Sequence, residues 1–458
     1  MYRVLRSATQ ITLPVFLVLL LCSTGAFATP LDDYVKKADP AFNYDPKPVK
    51  EEVTDTYTAR TYRMVSQEWL DATKVSPTKW EHWVVVIIPK EVTTETGFLF
   101  IGGGGNPLGD PGNADGALAQ IALLNKSIMV ELKQIPNQPL HFVDEKMDEF
   151  KQSGRKEDDL IAYGWDKFLV TGDPLWLPRL PMTKASVRAM DLAQKEYPQI
   201  KNFFVCGGSK RGWTTWTTAI ADKRVIGIAP AVIDVLNCTK SLENHINAYG
   251  FWAPAVDSYT KMDIMTRLET PEFAALRAVV DPYSYLDRLT MPKYIMNSTG
   301  DQFFPPDSWK FYYDDLKGEK YLRYIPNTDH SLNPEAYLNI ASFYHAIINN
   351  TPRPEFTWKR SPEGALEVRC KTAPTKVLLW QATNPEGRDF RLEKIGKAYT
   401  SSPVTESEPG VYRAAVAAPP KGWTAFLLEM EFPNPGFKYP FKFTTGVSVV
   451  PDVYPPKK

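Results

Sequence analysis

The run Phe203-Phe204-Val205-Cys206-Gly207-Gly208-Ser209-Lys210-Arg211-Gly212 passes from an apolar stretch through two glycines to a serine, and a helical pattern follows from Lys210 to Ala221. Strand, tight turn and helix in that order describe a nucleophile elbow. There a serine sits on a strained turn, and its hydroxyl projects over the carboxyl ends of the strands. Glycines flank such a turn because a side chain would clash. The next backbone N–H, at the start of the helix, is placed to hold an oxyanion. The usual pattern is Gly-x-Ser-x-Gly; here glycine stands at −2 (Gly207), but Arg211 occupies +2 and glycine returns only at +3 (Gly212). A phosphate-binding loop would need Gly-Lys-Ser/Thr after four intervening residues, and that spacing is absent. An incidental serine in a glycine-rich connection is the bland alternative.

Working outward, Tyr57 to Trp69 and His82 to Pro89 read as strands. The run Trp83 to Ile88 is continuously apolar, as in a strand buried on both faces. Phe98 to Ile101 is a strand that ends in Gly102-Gly103-Gly104-Gly105, and Ser127 to Leu132 is another. Helical patterns cover 143–171 and 183–196. Val225 to Ile233, Lys293 to Met296 and Tyr321 to Ile325 continue the strands. Strands alternating with helices predict a mostly parallel sheet with helices on both faces, an α/β-hydrolase-type domain over 29–350. Thr351-Pro352-Arg353-Pro354 reads as a linker. Beyond it Leu366, Val368 and Cys370 share one face, and Phe426, Leu428, Met430 and Phe432 alternate with their neighbours, with no convincing helix between. That pattern predicts a small β-sandwich of immunoglobulin or fibronectin type over 351–458.

Composition narrows the function. The 458 residues are 43% hydrophobic and 23% charged, which suits a large core and excludes long disordered stretches. Lys plus Arg and Asp plus Glu are both 53, so no global positive field points to nucleic acid. Four cysteines exclude a disulfide-dense scaffold, and the five histidines form no metal-binding pattern. Arg3 and Arg6, the apolar run Leu13 to Leu21 and Ala26-Phe27-Ala28 predict a secretory signal peptide over 1–28, cleaved after Ala28. Its removal leaves an exported chain, periplasmic or secreted, with no segment for integral membrane association. Cys206, Cys238 and Cys370 remain; the first two are placed to pair or to stay as buried thiols.

The partners of a serine nucleophile follow it in the order acid, then histidine. Asp301 follows the strand at 293–296, and His330 follows the strand at 321–325, each in a loop after its strand. Asp301 would fix the tautomer of His330, and His330 would take the proton of Ser209. Asp234, at the end of the intervening strand, is the alternative acid, and Asp329 reads as a turn cap. The glycines after the early strand, Gly103 and Gly104 in particular, are candidates to complete the oxyanion hole, with Lys210 as a second candidate. Trp213, Trp216, Trp252, Phe303 and His245 are candidates for a pocket suited to a sugar or an aromatic group, although packing is the commoner role of such residues. His345 reads as a packed structural histidine.

The elbow Gly208-Ser209-Lys210-Arg211-Gly212-Trp213-Thr214-Thr215-Trp216 resembles that of the PhoPQ-activated pathogenicity-related family, which includes bacterial exported proteins and a slime-mould autocrine proliferation repressor. Ile135-Pro136-Asn137-Gln138-Pro139-Leu140, Glu157-Asp158-Asp159-Leu160, Gly300-Asp301-Gln302-Phe303-Phe304 and Asp329-His330-Ser331-Leu332 extend the likeness over nearly the whole chain after residue 28. The resemblance implies an α/β-hydrolase-like fold and, in some bacteria, a link to virulence regulation. The elbow is also locally similar to that of glucuronoyl esterases, with Lys210 where those carry arginine. Together these readings predict an exported serine hydrolase, an esterase acting on a small-molecule or glycan ester without metal or organic cofactor. A peptidase, and a binding or signalling protein on a hydrolase scaffold without turnover, are the competing expectations.

Overall fold

The computed structural model describes residues 28–361 and 364–456; apart from Ala28, the expected signal peptide lies outside them. Eight strands build the centre of a fifteen-stranded sheet: β1 (Tyr57–Glu68), β2 (Lys79–Pro89), β3 (Thr96–Ile101), β4 (Met129–Leu132), β5 (Asn202–Gly208), β6 (Val225–Ala231), β7 (Lys293–Ser298) and β8 (Lys320–Ile325). Their spatial order is β1-β2-β4-β3-β5-β6-β7-β8. β1 and β2 pair antiparallel, β2 runs antiparallel to β4, and every pair from β4 to β8 is parallel. This is the α/β-hydrolase arrangement, with β5 at the middle of the parallel block.

The continuous apolar runs are explained by two buried faces. On β5, Phe203 and Val205 join one core with Trp213 and Trp216, while Phe204 and Cys206 join a second core with Phe343 and Ile347. The helices that matter for the site and the sheet are α1 (Gly116–Asn125), α2 (Glu157–Thr171), α3 (Arg179–Glu196), α4 (Lys210–Ala221), α5 (Cys238–Tyr249) and α6 (Glu335–Ile348). α1 and α6 cover one face of the sheet, and α3 and α4 the other. Each large apolar side chain buried between these layers contributes about 1.5–3 kcal/mol. No helix among the described residues is long and apolar enough to cross a membrane.

Two local expectations change. The helix expected over 143–171 is two, Asp148–Ser153 and α2, because Gly154 adopts φ 66° and Arg155 pairs its backbone with Leu140. The helix expected from Thr183 begins at Arg179, before Pro181, since a proline in the first turn removes no intrahelical hydrogen bond.

The strands of 351–458 divide between two sheets. Phe356–Arg360, Ala365–Cys370, Glu406–Glu408 and Val411–Ala415 form a separate four-stranded antiparallel sheet. β9 (Lys376–Asn384), β10 (Trp423–Phe432) and β11 (Phe441–Thr444) instead continue the central sheet, β11 joining β8 at Leu322 and Thr444. Leu366, Val368 and Ala414 of the small sheet pack on Phe426, Leu428 and Met430 of β10, so the two layers share one core with the second face of the main sheet. A buried Arg323 on β8 ties the parts together, donating to Glu429 at 2.6 Å and to Glu335 at 3.0 Å.

Candidate active site

The elbow forms where β5 meets α4. Ser209 holds φ 57° and ψ −129°, a left-handed conformation that L-residues rarely take and that is stored at functional turns. Its N–H donates to Ala231 O at 2.8 Å, and its carbonyl accepts from Trp213 N–H at 2.9 Å. The glycine spacing has a steric reason. A Cβ on Gly207 would lie 2.8 Å from Arg211 O, and one on Gly212 would lie 2.8 Å from Ala231 O and 3.0 Å from Gly207 O. Positions −2 and +3 therefore close the turn backbone against backbone. Arg211 then tolerates a side chain at +2 and uses it as a strut. Its Nε donates to Ile135 O and its Nη2 to Glu157 Oε1 at 2.6 Å.

Asp301 and His330 meet although 29 residues separate them. Asp301 Oδ2 lies 2.8 Å from His330 Nδ1, and Oδ1 accepts Phe303 N–H at 2.7 Å. A carboxylate only accepts, so Nδ1 carries the proton and the lone pair is on Nε2. That Nε2 is buried and has no hydrogen-bond partner among the described residues. Gln302 Oε1 accepts His330 N–H at 3.1 Å, and the Phe303 ring lies 4.4 Å from the imidazole. Ser209 and His330 line one cavity together with Gly208, Leu332 and Tyr337, and no hydrogen bond joins Ser209 Oγ to Nε2. Asp234, the alternative acid, is engaged elsewhere. It accepts from Tyr312 Oη at 2.6 Å and from Tyr324 Oη, and burial pushes its carboxyl up to about 7. Asp329 caps its turn through Ser331 N–H at 2.9 Å.

Ser209 also lines a second cavity, walled by Trp165, Trp213, Tyr259, Phe303 and Phe304. Trp213 and Phe303 are thus among its lining residues. Trp252 and His245 are not: they stand behind the wall, their rings 5.4 Å apart. His245 Nε2 accepts Ala253 N–H at 3.0 Å, so its Nδ1–H donates to Phe303 O at 3.1 Å. Burial pulls this histidine down to about 4, and it stays neutral while positioning the Phe303 loop. Trp216 is fully buried in the core beneath the elbow. His345 stacks on Phe437 at 4.4 Å.

The glycine loop after β3 lies against the elbow through Arg211. A Cβ on Gly103 would fall 2.9 Å from Arg211 Nη2, and Gly104 takes φ 139° beside Gln134. Neither glycine lines the two cavities of Ser209. Their N–H groups have no acceptor among the described residues. Lys210 does not aim its ammonium at free space, since Nζ lies 3.0 Å from both Glu157 Oε2 and Asp158 Oδ2. Its backbone N–H, first in α4, has no intrahelical acceptor. Burial would raise the Glu157 carboxyl, but the hydrogen bond from Arg211 and the charges of Lys210 and Arg211 bring it down to about 2.

Arg179, Asp158, Tyr259 and Phe304, which line the second cavity, and Glu157, which pairs with Lys210 and Arg211, were not singled out from the sequence. Three acids opening α2 and two cations after the serine were visible signals, but nothing local showed that they face each other. Cys206, Cys238 and Cys370 are free thiols.

A sequence profile, that of the PhoPQ-activated pathogenicity-related protein, matches residues 31–391. The chain belongs to the PhoPQ-activated pathogenicity-related family. A relative is autocrine proliferation repressor protein A of Dictyostelium discoideum, 38% identical over 480 residues, covering 96% of this chain and 94% of that protein. Among solved structures, acetyl xylan esterase 1 of Thermoanaerobacterium sp. is similar at 14% identity and TM-score 0.49, over 69% of this chain and 93% of that one. The acetyl xylan esterase of Paenibacillus sp. R4 is similar at 13% identity and TM-score 0.49, over 69% and 92%. These likenesses are remote, and the fold of this family member rests on its own strand order and elbow.

Proposed function

We propose that this protein is an exported serine hydrolase acting on carboxylic esters through Ser209, His330 and Asp301. The observation that carries the reading is the Asp301–His330 pair at 2.8 Å, whose unpartnered Nε2 shares a cavity with a serine held at φ 57°. Ser209 Oγ bonds to the acyl carbon as its proton passes to Nε2. The carbonyl electron pair moves to oxygen and is held by the Lys210 N–H, the first free N–H of α4. Collapse breaks the bond to the alkoxide, which leaves with the proton from Nε2. Water then repeats the sequence and frees the acid. Serine–histidine contacts of this kind are commonly loose and tighten when substrate seats, so a missing Oγ–Nε2 bond is compatible with the reading. The strong link of Arg211 to Glu157 and Ile135 supports an elbow held rigid from the +2 position.

A second reading is a signalling protein without turnover, favoured by the name of the Dictyostelium relative, a proliferation repressor. A fluorophosphonate probe separates the two. Labelling that disappears in Ser209→Ala supports the hydrolase. A folded, unlabelled wild-type protein supports the signalling reading.

A further inference from the structure

Arg179, at the start of α3, is 2% exposed yet has no carboxylate partner among the described residues. Its Nη1 donates to Lys210 O at 2.6 Å and Thr214 Oγ1 at 2.8 Å, with Met182 Sδ at 3.8 Å. Its guanidinium lies over the Trp213 ring, 4.9 Å from the centroid. Nε and Nη2 make no hydrogen bond among the described residues, although Arg179 lines the cavity beside Ser209. Other buried arginines of this chain differ: Arg155 pairs with Glu145, Arg323 with Glu429 and Arg388 with Asp307. Burial pulls Arg179 down to about 9, which leaves it charged at neutral pH.

An uncompensated buried cation is costly, and an anion in the cavity would offset that cost. The surrounding charges leave room for one. Of the groups lining the cavity, Asp158 is occupied by Lys210 Nζ at 3.0 Å and by Tyr259 Oη at 3.0 Å. Glu157, outside the cavity, is occupied by Lys210 and Arg211. Three cations, Lys210, Arg211 and Arg179, thus stand against the two carboxylates of Glu157 and Asp158, and the Asp158 charge, though felt at Arg179, is shared with Lys210.

The two cavities also divide the substrate. His330 lines only the one that lacks Arg179, and the departing alcohol takes its proton from His330. The acyl chain therefore occupies the cavity of Arg179. We infer that the preferred acyl group carries a carboxylate at its far end, paired with the free edge of the Arg179 guanidinium and flanked by the rings of Trp165, Trp213 and Phe304. This rests on the serine hydrolase reading and names its substrate class. A planar guanidinium suits a carboxylate, which it meets with two parallel N–H donors.

The test compares 4-nitrophenyl hemiadipate with 4-nitrophenyl hexanoate, esters of equal chain length with and without the terminal charge. The wild-type protein is expected to favour the hemiadipate by at least about tenfold in kcat/KM, as a site built for a polar group rejects the analogue lacking it. Arg179→Met removes the preference mainly through KM, and Arg179→Lys retains part of it. An arginine that only braces α4 would, when replaced, slow both esters equally and leave their ratio unchanged. That outcome, or a wild-type ratio near one with Ser209 still labelled by fluorophosphonate, overturns the inference and spares the hydrolase. If nothing labels, the hydrolase reading falls. The site is then decided by calorimetric titration of Ser209→Ala with monomethyl adipate and methyl hexanoate. Tighter binding of the charged ester supports the Arg179 site; equal or absent binding overturns it. The wild-type comparison needs no Arg179 variant to fold.

Discussion

Asp301→Asn is the most informative single change, because the structure fixes which way the new amide must face. Asp301 Oδ1 accepts Phe303 N–H at 2.7 Å, so an asparagine keeps its carbonyl oxygen there. Its NH2 then occupies the place of Oδ2, 2.8 Å from His330 Nδ1. A donor facing Nδ1 makes that nitrogen the acceptor and moves the proton to Nε2. Nε2 can then no longer receive the Ser209 proton. In triads of this kind the same substitution leaves geometry intact and lowers kcat by about 10⁴. That factor corresponds to about 5.5 kcal/mol in the barrier. Hydrolysis of a 4-nitrophenyl ester and the rate of fluorophosphonate labelling would both report it, with thermal melting as the control for folding. Activity within about tenfold of wild type, in a protein that melts normally, would refute the assignment of Asp301 and His330.

Other consequences follow from the same contacts. Gly207→Ala places a Cβ against Arg211 O, 2.8 Å away, and should cost about 1–3 kcal/mol in denaturant unfolding; an unchanged midpoint would mean that the turn closes differently. Asp234, raised by burial from 3.8 to about 7, contributes proton-linked stability that is fully present below pH 3.8 and is lost as pH rises through about 7. Asp234→Asn should flatten the dependence of melting temperature on pH over that window, and an identical slope in both proteins would contradict this. A chain ending at residue 350 should fail to give soluble monomer, because β8 loses β11 and Arg323 loses Glu429; a monodisperse, cooperatively melting fragment would show the two parts to be independent.

Much of this was legible in the sequence. Continuous apolar runs such as Trp83 to Ile88 suit strands covered on both sides, and the alternation of strand and helix patterns points to the α/β class. Chain order singled out Asp301 and His330 as partners of each other, and their side chains meet at 2.8 Å, since each loop after a parallel strand opens on the same edge of the sheet. Less was visible where partners are remote and unlike their surroundings. His245 and Trp252 look like pocket residues from composition, yet one hydrogen bond to Phe303 O puts them behind the wall. Arg179 looks like an ordinary helix residue.

The amino-acid order alone determined which segments become strands, where the backbone must bend without a Cβ, and which serine stands on the bend. Those properties depend on near neighbours and on the period of burial. Only the tertiary structure decided that Gly212 could serve at +3, that strands after residue 351 extend the main sheet, and that a guanidinium without a counter-ion lines the cavity of Ser209. Those features depend on packing between residues distant in the chain, and local pattern carries no record of it.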